Sequence, residues 1–212
     1  MSDLPLGLPA EAATVLRLAL DQERKIDRAL EALGPLRGRD VLVLDADEEE
    51  LARMSAAGAR VAASPAAVPL AAADGSEDAI VSRWTGFRAV DPDAVRDADR
   101  VLRPGGRLLV VHDYGRDDVS RLRGELEEHG DWTRRDGPLL TNGFRIRVIH
   151  CFWTFETVEA ARDFLDGSFG EAGRAVGQGM KRPRLSYNVA VYHRTRGGVD
   201  APAIAAGTSA AS

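Results

Sequence analysis

The sequence predicts an α/β fold in which helices cover both faces of a mostly parallel β-sheet. Apolar segments alternate with amphipathic segments through the first 130 residues, which is the order of strands and helices in a doubly wound sheet. Residues 40–45 are apolar almost throughout, which is typical of a strand buried on both faces. The length of 212 residues, with 44% hydrophobic residues, is sufficient for one sizeable core.

Three regions follow one another along the chain. Residues 1–36 are predicted to be an N-terminal helical segment, because apolar residues recur at steps of three and four between residues 9 and 33. Residues 37–196 are predicted to be the α/β domain. Residues 197–212 contain mostly Ala, Gly, Ser and Pro and are expected to be disordered, since they have almost nothing to bury.

Within the domain, apolar periodicity and turn residues place each element. The predicted strands are residues 40–45, 59–64, 78–84, 107–114, 143–155 and 184–194. The predicted helices are residues 48–57, 91–102, 117–130, 157–165 and 170–180. Asp91 is a plausible N-cap for the second of these helices, with Pro92 at its first position, and Pro104-Gly105-Gly106 suits the turn that follows it.

Composition excludes several classes of function. The net charge is −5 and no dense basic stripe accompanies aromatic residues, so nucleic acid is not an expected partner. No apolar run is long enough to span a membrane, and the N-terminus has no basic stretch followed by an apolar core, so no signal peptide is expected. The single Cys151 is expected to be a buried small hydrophobe rather than a nucleophile, and it fits a cytoplasmic location. The many arginines and two lysines suggest a GC-rich bacterial genome.

Residues 97–111, "DADRVLRPGGRLLVV", resemble a class I S-adenosylmethionine-dependent methyltransferase of the methyltransferase type 11-like group. Residues 38–46 and 68–82 are similar to earlier pieces of that family, in the same order, and the last two predicted strands are similar to its sixth and seventh strands. The resemblance implies a Rossmann-like, three-layer αβα sheet that is parallel except for its last strand. It also implies S-adenosylmethionine as cofactor, a small-molecule substrate and no metal.

The sequence departs from the family pattern at the loop after the first strand. That loop usually carries glycines, so that backbone passes close to the cofactor, but Asp47, Glu49 and Leu51 stand in those places here. The acid that usually binds the ribose has no clear equivalent, and the aligned neighbourhood is Ser64-Pro65. About one strand–helix unit is missing between residues 64 and 78.

The acids at residues 47–50 allow two interpretations. Asp47 followed by Glu50 matches a capping box, in which Asp47 accepts from the first turn of the helix and Glu50 reaches back. In the alternative, the acids bind the cationic amino or sulfonium group of the cofactor, or a metal ion. Self-capping is the favoured interpretation, because neighbouring helix residues point in different directions and do not converge on one ligand.

Ligands of such sheets bind beyond the carboxyl ends of the strands, so the residues there are the site candidates. The cofactor-binding candidates are Asp45, Asp47, Ser64, Ser82 and Trp84. The catalytic candidates are His112 and Asp113, where a histidine beside an acid can act as a general base. Each has a structural alternative: Trp84 can simply pack, and Asp113 can cap the next helix. Residues 180–187, "MKRPRLSY", form the one tight basic patch, which is either a solvated loop or a contact for an anion.

Two functions remain open at this stage. The first is a methyltransferase that acts on a small molecule and holds its cofactor through contacts other than glycine backbone. The second is a catalytically inactive, methyltransferase-like module for binding or subunit interaction, which predicts a homodimer or a partner complex. A nicotinamide-dependent oxidoreductase is disfavoured, because no G-x-G-x-x-G sequence opens the first helix of the sheet.

Overall fold

The computed structural model describes residues 8–88, 90–124 and 134–197, apart from the side chain of Arg123. The strands are β1 Asp40–Leu44, β2 Arg60–Ser64, β3 Glu77–Arg83, β4 Leu102–Asp113, β5 Arg145–Thr154 and β6 Arg184–Thr195. The helices are α1 Ala10–Ala19, α2 Lys25–Leu33, α3 Glu48–Ala56, α4 Pro92–Val101, α5 Asp118–Arg123, α6 Pro138–Thr141 and α7 Val158–Gly179.

The six strands form one sheet in the order β2-β1-β3-β4-β6-β5. β1 pairs in parallel with both β2 and β3, and β3 pairs in parallel with β4. β6 runs antiparallel to both of its neighbours, β4 and β5. The predicted mostly parallel sheet with an antiparallel last strand is therefore confirmed. Residues 65–76 join β2 to β3 without a helix, in agreement with the predicted loss of a strand–helix unit.

The sheet is the middle of three layers, because alternate residues of its central strands point to opposite faces. Val41 and Val43 of β1 are fully buried in one core, to which α1, α2, α3, α5 and α7 contribute. Leu42 and Leu44 are buried in the other core, beneath α4 and α6. The near-continuous apolar run of β1 thus serves both cores, which explains the absence of a polar alternation in its sequence.

Local signals placed most element ends correctly. Asp91 caps α4 by accepting from the backbone N–H of Asp93, and Pro92 is its first residue. The predicted turn at 104–106 lies inside β4: Glu77 pairs with Leu102 and Ala79 with Arg107, so the residues between are looped out of the ladder.

The predicted division between helices at 157–165 and 170–180 is confirmed: α7 consists of two helical stretches that meet at a kink at Gly170, whose φ of 57° is outside helical geometry. Two other details of the predicted helices are corrected. The short α6 was not predicted. The predicted helix over 117–130 is seen as α5, and Gly124 with φ of 81° follows it. The rest of that prediction lies outside the described residues, as does nearly all of the tail at 197–212.

Candidate functional site

The carboxyl ends of β1 to β4 lie along one edge of the sheet, because these four strands are parallel. Asp45, Ser64, Trp84 and Asp113 stand at these ends, so the sequence-based candidates share one rim of the molecule. In open α/β sheets this rim holds the ligand.

Asp45 ties the ends of three strands together. Its backbone has a φ of 51°, in the left-handed region that aspartate tolerates better than most residues. One carboxylate oxygen accepts from the backbone N–H of Ala66 at 2.9 Å, and the other accepts from the Thr85 hydroxyl at 2.8 Å. The Asp45 N–H donates to the Ser64 carbonyl at 2.9 Å. The space immediately beyond β1 is therefore bridged by the protein's own hydrogen bonds.

Asp47 is the N-cap of α3, as the sequence predicts. Its Oδ1 accepts from the backbone N–H of Glu50 at 2.8 Å, and its Oδ2 accepts from the Arg17 guanidinium at 3.1 Å. Arg17 also approaches Glu49, with 3.8 Å between their nearest charged atoms. Arg17 thus links α1 to the N-terminal end of α3, where free backbone N–H groups would otherwise bind an anion.

Glu50 does not complete the predicted capping box, and this part of the prediction is wrong. The side chain turns inward and its Oε1 lies 2.7 Å from Nε of Arg83, the last residue of β3. Arg83 also donates to Asp27 of α2 at 2.8 Å. Burial alone would raise the pKa of Asp27, but the charge and hydrogen bond of Arg83 outweigh it and lower that pKa. A buried cation attracts Glu50 more strongly than a backbone N–H does.

A cavity of about 410 Å³ lies between α1, α2, the first turn of α3 and the end of β3. Its size is within the range of small-molecule sites. Acidic and arginine side chains nearly balance in its wall, and one aromatic ring joins them. The charged and aromatic residues that line it are Arg17, Asp21, Arg24, Asp27, Asp47, Glu49, Glu50, Arg53, Arg83 and Trp84.

Trp84, the residue directly after β3, is a cofactor-binding candidate that lines this cavity. Its backbone has a φ of 68°, and its N–H donates to the Val111 carbonyl at 2.8 Å. The ring is only 7% exposed and stacks on Tyr187, with 6.3 Å between ring centroids. Most of the Trp84 surface is therefore used in packing, and one part of it faces the cavity.

Ser64 and Ser82 are buried at the strand ends and do not line the cavity. The Ser64 hydroxyl donates to the Pro65 carbonyl at 2.9 Å and accepts from the Ala71 N–H at 3.0 Å. The loop after β3 passes directly over Ser82, since a Cβ added at Gly86 would lie 2.5 Å from the Ser82 hydroxyl oxygen. Neither hydroxyl is directed to open space.

The two catalytic candidates are fully buried at the end of β4. Asp113 forms an ion pair with Arg88 at 3.2 Å. The His112 ring lies 6.4 Å from that of Tyr192, and burial, together with the positive charge of Arg88, lowers the pKa of His112 to about 3. A base with so low a pKa contributes little to proton abstraction near neutral pH. Neither side chain lines the cavity beside Trp84.

Sequence reasoning did not single out Arg17, Asp27 and Arg83, which join α1 and α2 to the site. A charged residue that ends an apolar strand, as Arg83 does, was the available signal. Among the described residues, no group of three or more His, Cys, Asp or Glu side chains is arranged to bind a metal ion. No helix in the described part of the chain is long and apolar enough to cross a membrane.

Comparisons with known proteins agree with this architecture. Residues 26–110, from α2 into β4, match the family model described as the methyltransferase domain. A proposed methyltransferase from an antibiotic biosynthesis pathway of Anabaena variabilis is 12% identical, with a TM-score of 0.50 over 79% of this chain and 96% of that chain. A proposed type II methyltransferase from Anaeromyxobacter dehalogenans is 17% identical, with a TM-score of 0.49 over 80% and 94% of the two chains.

A third solved structure, a SAM-dependent methyltransferase from Aquifex aeolicus, is 15% identical, with a TM-score of 0.47 over 86% of this chain and 97% of that chain. No curated protein matches the sequence. At 12% identity the Anabaena variabilis structure shows the fold alone, and the family model adds the sequence match. The chain is therefore methyltransferase-like, with the methyltransferase-domain sequence over residues 26–110 and the Rossmann-like fold of that family.

Proposed function

We propose that this chain is a methyltransferase-fold protein that has lost the usual S-adenosylmethionine position and works as a binding or subunit-interaction module. The observation that carries the proposal is the engagement of Asp45 with both Ala66 and Thr85 across the ends of the first three strands. A nucleoside placed there would have to break these two hydrogen bonds. The proposal also includes a bacterial, cytoplasmic protein, in keeping with the buried Cys151.

The residues at the start of α3 do not fit the cofactor that the family implies. Its methionine part carries a carboxylate, which would meet Asp47 and Glu49 at the helix N-terminus. The N–H of Glu50 that could receive this carboxylate is already bonded to Asp47. The side chains also fill space that glycines would leave open for ligand.

The ribose end of the site gives the same result. Ribose hydroxyls need acceptors at the ends of β1 and β2. Asp45 accepts from two groups of the protein, and the buried Ser64 hydroxyl accepts from Ala71 while donating to Pro65. Among the described residues at this end, the Asp45 carboxylate therefore already accepts hydrogen bonds on both of its oxygens and is not free to bind a nucleoside.

A second candidate function is a transferase that holds S-adenosylmethionine in the cavity between α1, α2 and α3 and methylates a small molecule. The specific observation in its favour is the cavity itself, which measures about 410 Å³ and combines Trp84 with several carboxylates. Carboxylates can bind an ammonium or sulfonium group, and an aromatic face adds cation–π attraction. In this candidate, positioning by the cavity wall would supply most of the catalysis.

Titration of the purified protein with S-adenosylmethionine distinguishes the two functions. Calorimetry should show no binding heat, and the midpoint of thermal unfolding should not move at about 1 mM ligand. A dissociation constant of about 10 μM would instead stabilise the fold by about 2.7 kcal/mol and raise the midpoint by about 5–10 °C. Such binding would overturn the module proposal.

A variant locates any binding that is observed. If the cofactor occupies the cavity, Trp84→Leu should weaken binding several-fold, and Arg96→Gln, on the exposed side of α4, should not. The module proposal makes a separate prediction about assembly. Sedimentation should detect a homodimer or a complex with a partner from the source cell, and a monomer that captures no partner would contradict it.

A further inference from the structure

An open groove of about 710 Å³ lies between α5, the end of α7 and the adjoining ends of β5 and β6. We refer to it as the basic groove. It is separate from the cavity beside Trp84, with which it shares no lining residue. The basic patch that the sequence shows at residues 180–187 forms one side of it.

The floor of the basic groove is apolar. Val176 of α7 and Met180 after it are half-buried there, beside the fully buried Leu185. The Phe152 ring borders the groove, and Arg184 and Lys25 lie 4.5 and 5.2 Å from its centroid. Partly exposed apolar side chains at the bottom of a concave surface gain free energy when an apolar ligand covers them. The floor therefore suits a hydrocarbon or aromatic body.

The rim of the basic groove carries an excess of positive charge. Its four cations are Arg121, Lys181, Arg182 and Arg184, and its one acid is Asp118, which gives a formal charge of four minus one, or +3. Asp118 is largely occupied, since it accepts from both the N–H and the hydroxyl of Ser186, at 3.0 and 2.7 Å.

The exposed Lys181 and Arg182 form no ion pair with any described residue, so their charge is available to a ligand. Arg184 is held by an aromatic ring rather than by an acid, with its guanidinium carbon 4.5 Å from the Phe152 centroid. Lys181 and Arg182 follow the C-terminal end of α7, where a positive charge interacts favourably with the helix dipole.

The segment that carries these cations is held in place before any ligand arrives. Arg162, near the start of α7, donates to the carbonyls of Gly177 and Met180 at 3.0 and 3.1 Å. The Phe155 N–H donates to the Pro183 carbonyl at 2.8 Å. A segment fixed in this way loses little conformational entropy on binding, which favours affinity.

We propose that the basic groove binds a small amphipathic anion, in which an apolar body covers Val176 and Met180 and a phosphate or carboxylate group meets Lys181 and Arg182. The combination of floor and rim points to this class, because a purely apolar ligand would leave the cations unused and a bare anion would leave the floor exposed. A volume of about 710 Å³ suits a small molecule, and a net charge of −5 on the whole chain opposes a polyanion. The proposal does not depend on whether S-adenosylmethionine binds.

Dodecyl phosphate, kept below its micelle concentration, is a suitable probe because it combines both features. Calorimetry on the full chain should show one site with a micromolar dissociation constant, weakened by added salt. The double substitution Lys181→Gln and Arg182→Gln should weaken binding about 10- to 100-fold, since it removes two solvent-exposed charged contacts with the anionic group. The substitution Met180→Ala should weaken it about tenfold through the lost apolar contact.

Several results would overturn the proposal. These are no binding of dodecyl phosphate to the unaltered protein, equal affinity for inorganic phosphate, or binding to anionic phospholipid vesicles without binding of the monomeric probe. The matched control replaces two exposed arginines elsewhere, Arg96→Gln and Arg134→Gln, and should leave affinity within about twofold. If the Lys181 and Arg182 variant lost only stability and bound the probe as before, these cations would serve α7 alone and the inference would be wrong.

Discussion

Removal of the Arg83 side chain is the most direct test of how the candidate site is held together. Arg83 is 9% exposed and contacts two carboxylates, Glu50 at 2.7 Å and Asp27 at 2.8 Å. The substitution Arg83→Met keeps much of the volume but takes away the cation. Glu50, which is 7% exposed, is then left as a buried charge without its partner.

The expected loss of unfolding free energy follows from the burial of the two carboxylates. Breaking a buried ion pair by removing one partner typically costs about 3–5 kcal/mol. The contact between Arg83 and Glu50 lacks hydrogen-bond alignment, and both side chains border a cavity that admits water. Asp27 also keeps a second cation, Arg24, at 3.2 Å. We therefore expect a loss near the lower end, about 3 kcal/mol.

Urea denaturation followed by tryptophan fluorescence and circular dichroism measures this loss. The matched control is the double variant Arg83→Met with Glu50→Gln, in which no buried charge remains at this position. It should recover all but about 1 kcal/mol of the stability, because Asp27 is partly exposed and remains paired. A single variant that loses less than about 1 kcal/mol, or a double variant no more stable than the single one, would refute the reasoning.

Three further predictions concern single residues. Asp47→Ala should cost about 1 kcal/mol in urea denaturation through loss of the α3 cap, whereas Asp47→Ser, which keeps an acceptor, should cost less than about half of that; equal losses would exclude the cap as the cause. Burial lowers the pKa of His112 to about 3, so between about pH 6.5 and 3 only the unfolded chain takes up this proton. The unfolding free energy should therefore fall by up to about 1.4 kcal/mol per pH unit as the pH is lowered through this range. His112→Gln should flatten this slope in urea denaturation, and an unchanged slope would contradict the prediction. Burial, with the nearby charge of Asp21, raises the pKa of the Cys151 thiol to about 12. Mass spectrometry should therefore show that iodoacetamide labels the native protein at least 100-fold more slowly than the urea-unfolded protein. Comparable labelling rates would count against the burial of Cys151.

The arrangement around Arg83 also explains why α1 and α2 belong to the site. Asp27 of α2 and Glu50 of α3 share one arginine, and Arg17 of α1 binds Asp47. These contacts join the N-terminal helices to the carboxyl end of the sheet by charge as well as by packing. The acidic charges at the start of α3 are thereby neutralised within the protein and need no ligand to balance them.

Much of the fold could be predicted from the sequence, because the signals for it are local. The double-sided apolar run of β1, the Pro92 start of α4 and the turn at residues 104–106 each depend on neighbouring residues. The end of α5 and the short α6 could not be predicted as well. Helix length depends on packing against other elements, which propensity and periodicity do not report.

The candidate site shows the same division at the level of single side chains. The sequence alone determined that Asp47 caps α3 and that no glycine loop follows β1, since a cap spans only three residues. Only the tertiary structure decided that Glu50 turns away to Arg83, that Asp45 bridges Ala66 and Thr85, and that the residues around Lys181 border an apolar groove. Ala66 and Thr85, the two partners of the Asp45 carboxylate, lie 21 and 40 residues after it in the sequence. They meet because strand order brings distant chain ends to one edge, and pairing at such separations leaves no periodic trace in the sequence.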